Sequence, residues 1–200
     1  MEKIKYEDKF NIMIIGDEMV GKTSIIERYF KQTFLNERKR TIGIERYDKT
    51  IKYQDKNYLF TIWDTAGQEK FRSIGKNFYK KADGMILTCA IDNKQSFDNL
   101  KIWLKNIEDN TDLDIIQLII IANKSDLENE RKVDVEDIKR IAEELGVEYF
   151  ETSAKVGMGV EEALNNLCYK IFRNHSVRYS PLGMELEEGR HMSKFNSRCC

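Results

Sequence analysis

Gly16, Gly21, Lys22 and Thr23 stand in the stretch "GDEMVGKTS" at the spacing G-x-x-x-x-G-K-T. In such a stretch backbone N–H groups cradle phosphate oxygens, a lysine brings a point charge to the terminal phosphates, and a hydroxyl can ligate Mg²⁺. Three other stretches carry complementary chemistry. "NKSD", Asn123 to Asp126, holds a carboxylate able to accept both the N1–H and the 2-amino hydrogens of guanine, a pair that adenine does not offer. "ETSAK", Glu151 to Lys155, offers the Ala154 amide to the guanine O6. "DTAGQE", Asp64 to Glu69, supplies an acid for a Mg²⁺ shell, the Gly67 amide for a γ-phosphate and Gln68 to orient a water. Each of these alone fits a surface turn, and the first fits an ordinary glycine-rich bend. In this order and spacing they specify a guanine nucleotide with Mg²⁺.

Loops so far apart need a scaffold that gathers them, and the patterning supplies one. "FNIMIIG" leads into "KTSIIERYF", "MILTCAID" into "SFDNLKIWLKNIED", "IIQLIIIAN" into "DVEDIKRIAEELG", and "VEYFETS" into "VEEALNNLCYKIF". Strand-like runs followed by helix-period segments predict a parallel sheet covered by helices. In the second helical segment Phe97, Leu100, Leu104 and Ile107 share one face. Ile115 to Ala122 reads as a strand buried on both faces, and "NKSD" follows it at a carboxyl end, where such sheets bind ligands. One pair breaks the rhythm: "RYDKTIKYQ" and "NYLFTIW" are separated only by Asp55 and Lys56, which predicts an antiparallel hairpin. After Arg173 the apolar period ends, and the segment from Asn174 onward reads as a flexible tail.

A chain of 200 residues with 41% hydrophobic content suits one domain with a sizeable core. Its 34 acidic and 33 basic residues argue neither for nor against nucleic acid. Cys89, Cys168, Cys199 and Cys200 have neither metal-ligand nor disulfide-framework spacing, and "MEKIKYEDKF" lacks the apolar stretch of a signal peptide, so a reducing cytosol is the expected compartment. The longest apolar run, Ile115 to Ala122, is far short of a membrane span.

With these motifs in hand, residues 9 to 173 resemble the small GTPases of the Ras superfamily, the Rab branch most closely. "TIGIE" (Thr41 to Glu45), "WDTAGQEKFRSI" (Trp63 to Ile74), "NKSD", "ETSAK" and the terminal "CC" carry the likeness. It implies an α/β P-loop GTPase fold, a six-stranded, mostly parallel sheet with five helices on both faces, over residues 1–173, followed by a tail, 174–200. By the same likeness the nucleotide site is Gly16, Glu18, Met19, Val20, Gly21, Lys22, Thr23, Ser24, Phe34, Thr41, Gly67, Asn123, Lys124, Asp126, Ser153, Ala154 and Lys155. Thr23, Thr41 and Asp64 would hold Mg²⁺, and Gln68 would be catalytic. Phe34 lies where the family stacks an aromatic on guanine; the alternative is packing at the end of the first helix.

The function so implied is a GTP/GDP switch of vesicle trafficking with slow intrinsic hydrolysis; the alternative is a hydrolysis-deficient GTP-binding scaffold of the same fold. Its implied partners are an exchange factor, an activating protein bringing an arginine, effectors at the switch segments, a GDP-dissociation inhibitor and a prenylation escort protein. A monomer without nucleic acid is expected. "RCC" resembles the Rab ending in which Cys199 and Cys200 both take geranylgeranyl groups, which would place the protein on the cytoplasmic face of an intracellular membrane, cycling with cytosol. Three departures from the Rab pattern stand out. Glu18 and Met19 occupy the centre of the phosphate loop, where the expectation is intact binding and slowed hydrolysis. Arg46 replaces an aromatic that would join Trp63 and Phe78, so its side chain is expected to turn outward, with its stem or Tyr47 partly filling the gap. "NFYKKADG", Asn77 to Gly84, is unusually basic and reads as a solvated helix face.

Overall fold

The computed structural model describes residues 4–35, 41, 43–53, 55–65 and 76–179. Six strands, β1 (Asp8–Gly16), β2 (Ile44–Tyr53), β3 (Lys56–Thr65), β4 (Gly84–Ala90), β5 (Gln117–Asn123) and β6 (Glu148–Thr152), form one sheet in the order β2-β3-β1-β4-β5-β6. All neighbours run parallel except β2 and β3, the expected hairpin. Its strands pair out to Tyr53 and Lys56, so Lys56 belongs to β3 and the turn lies one residue earlier than the sequence pattern places it. Asp55 takes the left-handed conformation there, φ +60°, as tight hairpin turns demand.

Period-two alternation along β1 sorts its side chains between two cores. Met13 and Ile15 enter one with β4 and β5, under α2 (Lys76–Lys80), α3 (Lys94–Asp98), α4 (Leu100–Glu108) and α5 (Val135–Leu145). Ile12 and Ile14 enter the other, under α1 (Lys22–Lys31) and α6 (Val160–Tyr179). Each of these fully buried isoleucines contributes about 1.5 to 3 kcal/mol of hydrophobic stabilisation. The helix after β1 thus covers one face and the helix after β4 the other. The chain reverses its winding between β1 and β4, and the carboxyl ends of these strands open the crevice in which such sheets bind ligands.

Three further element boundaries differ from the sequence reading. The helix expected over Phe97 to Ile107 is divided at Asn99, where ψ of −11° flattens the turn and the amide bonds to both Gln95 and Phe97 carbonyls; counting α3 and α4 as the single helix expected there leaves five α-helices among the described residues. β5 begins at Gln117, and Ile115 is 48% exposed in the preceding turn, so the apolar run is longer than the strand. α6 continues past Arg173 to Tyr179, where the apolar period has already ended. The apolar face itself is as expected: Phe97, Leu100 and Ile107 are buried, Leu104 packs beside them, and Trp103 joins them. Lys80 and Lys81 are exposed, the solvated face read from "NFYKKADG".

Candidate functional site

The four motifs meet at the carboxyl edge of the sheet because β1, β3, β5 and β6 end at Gly16, Thr65, Asn123 and Thr152. α1 begins directly after Gly21, which has φ +96°, and no side chain caps the helix. α5 shows the contrast: its Asp134 accepts from the Glu136 amide, and Glu136 and Asp137 complement the dipole. α1 has no acidic residue in its first turn, so its leading amides suit an external anion. Gly16 is required for a different reason, since a Cβ there would come within 2.1 Å of the Thr88 carbonyl oxygen on β4. Met19 holds a left-handed φ of +63° and is 67% exposed, so the loop's unusual apolar side chain points to solvent. Val20 is fully buried beneath it and Ser24 is half-buried in the first turn of α1.

Lys22 is 6% exposed, and its Nζ donates to the Gly16 and Asp17 carbonyls at 2.8 and 2.7 Å. Burial pushes this ammonium down to about 8, against the carboxylates of Asp64, Asp17 and Glu18, which raise it. Asp17 is pinned in turn by two donors across the crevice: Trp103 Nε1 reaches Oδ1 and Asn99 Nδ2 reaches Oδ2, both at 2.7 Å. The phosphate loop is therefore fastened to the α3–α4 junction through a buried carboxylate.

Thr23 Oγ1 lies 2.8 Å from Thr41 Oγ1 and donates to Asp64 Oδ2 at 2.6 Å. Two hydroxyls and one carboxylate form a small set of hard oxygen donors, which fits Mg²⁺, an ion that prefers few protein ligands with phosphate and water completing its shell. The donor set therefore fits the metal expected from the sequence. Gly67 and Gln68 lie outside the described residues, as do Cys199 and Cys200. The described cysteines, Cys89 and Cys168, are buried, with thiols pushed up to about 12, so neither is a nucleophile.

Asn123 joins the base motifs to the phosphate loop. Its Nδ2 donates to the Val20 carbonyl at 2.9 Å, while Oδ1 accepts from Thr152 Oγ1 at 3.1 Å and the Ala154 amide at 3.2 Å. Ser153 Oγ donates to Asp126 Oδ1 at 2.6 Å, and Lys155 Nζ stands 3.8 Å from Asp126 Oδ2. Lys124 pairs with Asp92 at 3.0 Å. Arg131 bonds Glu128 and Glu151, tying the "NKSD" segment to the first residue of "ETSAK". Phe34 is half-buried against the core that α1 and α6 cover, as the helix-end alternative describes.

On β2, Arg46 is exposed, as expected of an outward side chain, yet it stays beside the aromatics. Its guanidinium stands 5.8 Å over the Trp63 ring, and Trp63 meets Phe78 edge to face at 5.4 Å. Asp48 holds it there with bonds of 2.8 and 2.7 Å, and the Arg46 hydrogen bonds lead in keeping the Asp48 carboxyl below its usual range. Tyr47 leaves on the opposite face to meet Phe30 at 5.6 Å, so it does not fill the gap.

Asp17, Asn99, Trp103, Arg28 and Arg131 are supporting residues that sequence reasoning missed. Asp17 lies inside the quoted loop, but nothing local marks it as buried. The others are paired by folding alone.

The chain matches the model of the Ras family over residues 11–173. It is 39% identical over 175 residues to the Ras-related protein Rab-13 of Mesocricetus auratus, covering 88% of this chain and 86% of that one. It is 38% identical over 168 residues to Rab2BV of Beta vulgaris, with 84% and 78% covered, and 38% identical over 181 residues to Rab-11B of Dictyostelium discoideum, with 88% and 82% covered.

Proposed function

The chain belongs to the Ras family and is a Rab-type GTPase, a GTP-binding switch of membrane trafficking, and from that premise we propose how its own residues run the switch. The observation that carries the proposal is the Thr23–Thr41–Asp64 cluster, because it draws one oxygen from the phosphate loop, one from the first switch and one from the strand that leads into the second. Thr23, Thr41 and Asp64 would hold Mg²⁺, which would supply positive charge beside the terminal phosphates. Residues on either side of it then respond to the γ-phosphate: Thr41 and the Gly67 amide hold their segments while it is present and release them when it leaves.

Within that scheme the backbone from Glu18 to Ser24 cradles the phosphates and Lys22 donates to the terminal ones. Asp126, fixed by Ser153, accepts from guanine. The Ala154 amide, held by Asn123 at a long 3.2 Å, is shared with the guanine O6. Lys124 and Lys155 flank the base, and Gln68 orients the attacking water. Hydrolysis proceeds by direct displacement without a covalent enzyme intermediate, slowly until an activating protein brings an arginine. Its other regulators are an exchange factor, a GDP-dissociation inhibitor and an escort for prenylation, and effectors meet the Arg46–Trp63–Phe78 surface. Competition binding tests the nucleotide: GTP and GDP are expected to displace a labelled guanine nucleotide where ATP does not, and preference for ATP would overturn the assignment. Single-turnover hydrolysis with Gln68→Leu as the control tests the chemistry.

Glu18 tunes the rate. It is half-buried, and its charge reaches Lys22, where it favours the ammonium. At an effective dielectric near 20, a like charge about 6 Å from a phosphate costs about 2 to 3 kcal/mol, part of it felt only as charge develops during hydrolysis. Glu18→Ser is expected to raise the single-turnover rate about three- to tenfold; an unchanged rate would remove Glu18 from the mechanism.

Among the described residues no helix is long and apolar enough to cross a membrane. Membrane attachment is assigned to Cys199 and Cys200, because one lipid gives marginal, reversible binding and a second makes it stable. Intact mass of the protein from its native cell should show two prenyl groups per chain, and unmodified cysteines would contradict this.

A further inference from the structure

Arg28, in the last turn of α1, spends its guanidinium on three main-chain carbonyls. Nε donates to Ala154 O at 2.7 Å, Nη2 to Lys155 O at 2.6 Å and Nη1 to Gln32 O at 2.8 Å. The first two acceptors belong to the turn that follows β6 and offers its amide to the base. The third belongs to the C-cap of α1, where Gln32 takes a left-handed φ of +55° and returns its amide to the Arg28 carbonyl. From Gln32 the chain runs through Phe34 to Thr41. A residue of the phosphate-side helix therefore holds the base turn with one edge of its fork and the entry to the first switch with the other. Gly157, further along the same turn, lies against the Arg28 stem: a Cβ there would meet Arg28 Cδ at 3.6 Å.

The other end of the base turn is anchored differently. Arg131 ties Glu151 to Glu128 and also donates to the Val133 carbonyl, and all three partners lie on the base side of the site. Releasing Arg131 loosens the base half within itself, whereas releasing Arg28 removes the tie between the base turn and the last turn of the helix that carries Lys22 and Thr23, leaving Asn123 as the link to the phosphate loop. The planar fork suits this task, since three donors at fixed angles meet three carbonyls that a single ammonium would have to choose among.

We propose that Arg28 is a latch between the base-binding turn and the entry to the first switch, and that release of the guanine nucleotide requires its bonds to the Ala154 and Lys155 carbonyls to open. This rests on the guanine-nucleotide site assigned above. Arg28 acts as a positioning residue, and its action should register at the guanine 6-position, which the Ala154 turn faces.

The test uses the full-length protein loaded with a fluorescent GDP analogue, as parent chain, Arg28→Met and Arg28→Lys. Release is expected to quicken at least about tenfold in Arg28→Met, the scale of one lost charge-assisted hydrogen bond, and to be only partly restored in Arg28→Lys. The second readout is discrimination between GDP and 6-thio-GDP, whose sulfur is a weaker acceptor: the parent chain should prefer GDP, and Arg28→Met should lose most of that preference. Quickened release with the preference intact would make Arg28 a merely structural residue and overturn the proposal, as would unchanged release. If Arg28→Met does not fold, Arg28→Lys, which keeps charge and stem, gives the same two readouts and decides alone. A parent chain that prefers ADP to GDP would instead overturn the guanine assignment itself, a failure visible before any variant is made.

Discussion

Lys22→Met will lose guanine nucleotide about a thousandfold more readily than the parent chain while keeping its fold. The methionine preserves the apolar stem, but the charge fixed by the Gly16 and Asp17 carbonyls is gone. An ion pair at about 4 Å and an effective dielectric near 20 is worth about 4 kcal/mol, roughly three decades of affinity. The buried ammonium also predicts a pH signature. Burial holds its pKa at about 8, against an ordinary 10.5. Above about pH 8 the nucleotide-free site has released the proton, and incoming phosphates call it back. Binding therefore takes up one proton, and affinity falls about tenfold per pH unit until the bound form itself deprotonates. Stability of the nucleotide-free protein moves in the opposite sense. Between about 8 and 10.5 the unfolded chain holds this proton and the folded one does not, so stability rises with pH across that window. Calorimetric titration of GDP in buffers of different ionisation enthalpy, near pH 9, should detect the proton uptake in the parent chain and its loss in Lys22→Met. Equal uptake in both would assign the proton elsewhere.

Gly21→Ala will destabilise the protein by about 3 to 5 kcal/mol. An alanine Cβ would lie 2.3 Å from Asn123 Nδ2, at a backbone φ of +96°. Strain at that φ costs about 1 to 2 kcal/mol. The clash costs more because Asn123 cannot step aside: Val20, Thr152 and Ala154 hold it, and each buried polar group left without its partner costs about 1 to 3 kcal/mol. Against a typical total of about 5 to 15 kcal/mol this is a large fraction. Gly146→Ala is the control, since it too has positive φ, +63°, but its Cβ would meet nothing within 4 Å. Chemical denaturation of both variants without nucleotide should show Gly21→Ala losing several times more stability. Equal losses would mean that Asn123 moves freely and does not lock the two halves of the site together.

Glu18 and Met19 show how far a motif can be read from its frame. Both stand in the loop proposed to cradle phosphates through its backbone, where side-chain identity would leave the cradle's geometry to the peptide chain. Met19 accepts a left-handed φ and sends its side chain to solvent. Glu18 keeps its charge within reach of Lys22, which is why the proposal gives it a part in the rate of hydrolysis. Arg46 teaches the opposite lesson. Its side chain is exposed, as replacement of an aromatic suggests, yet Asp48 and the face of Trp63 also keep it beside the aromatic cluster, because a guanidinium can stack and fork together.

By itself the sequence determined the ligand class, the alternation of strands and helices, and the strand ends that carry each motif. Those properties are local: backbone amides at a helix start, a carboxylate after a buried strand and period-two or 3.6 patterning are written within a few residues of one another. The tertiary structure alone decided what holds the motifs in place. Asp17 meets Trp103 across 86 residues of chain, Asn123 meets Val20 across 103, and Arg28 meets Ala154 across 126. No periodicity announces such pairs, since each half, whether a side chain or a main-chain carbonyl, reads as ordinary until the sheet order brings it against the other. The division follows from the physics of the site: phosphates and bases are met by short segments whose chemistry is local, and their relative positions are fixed by hydrogen bonds that exist only after the chain has folded.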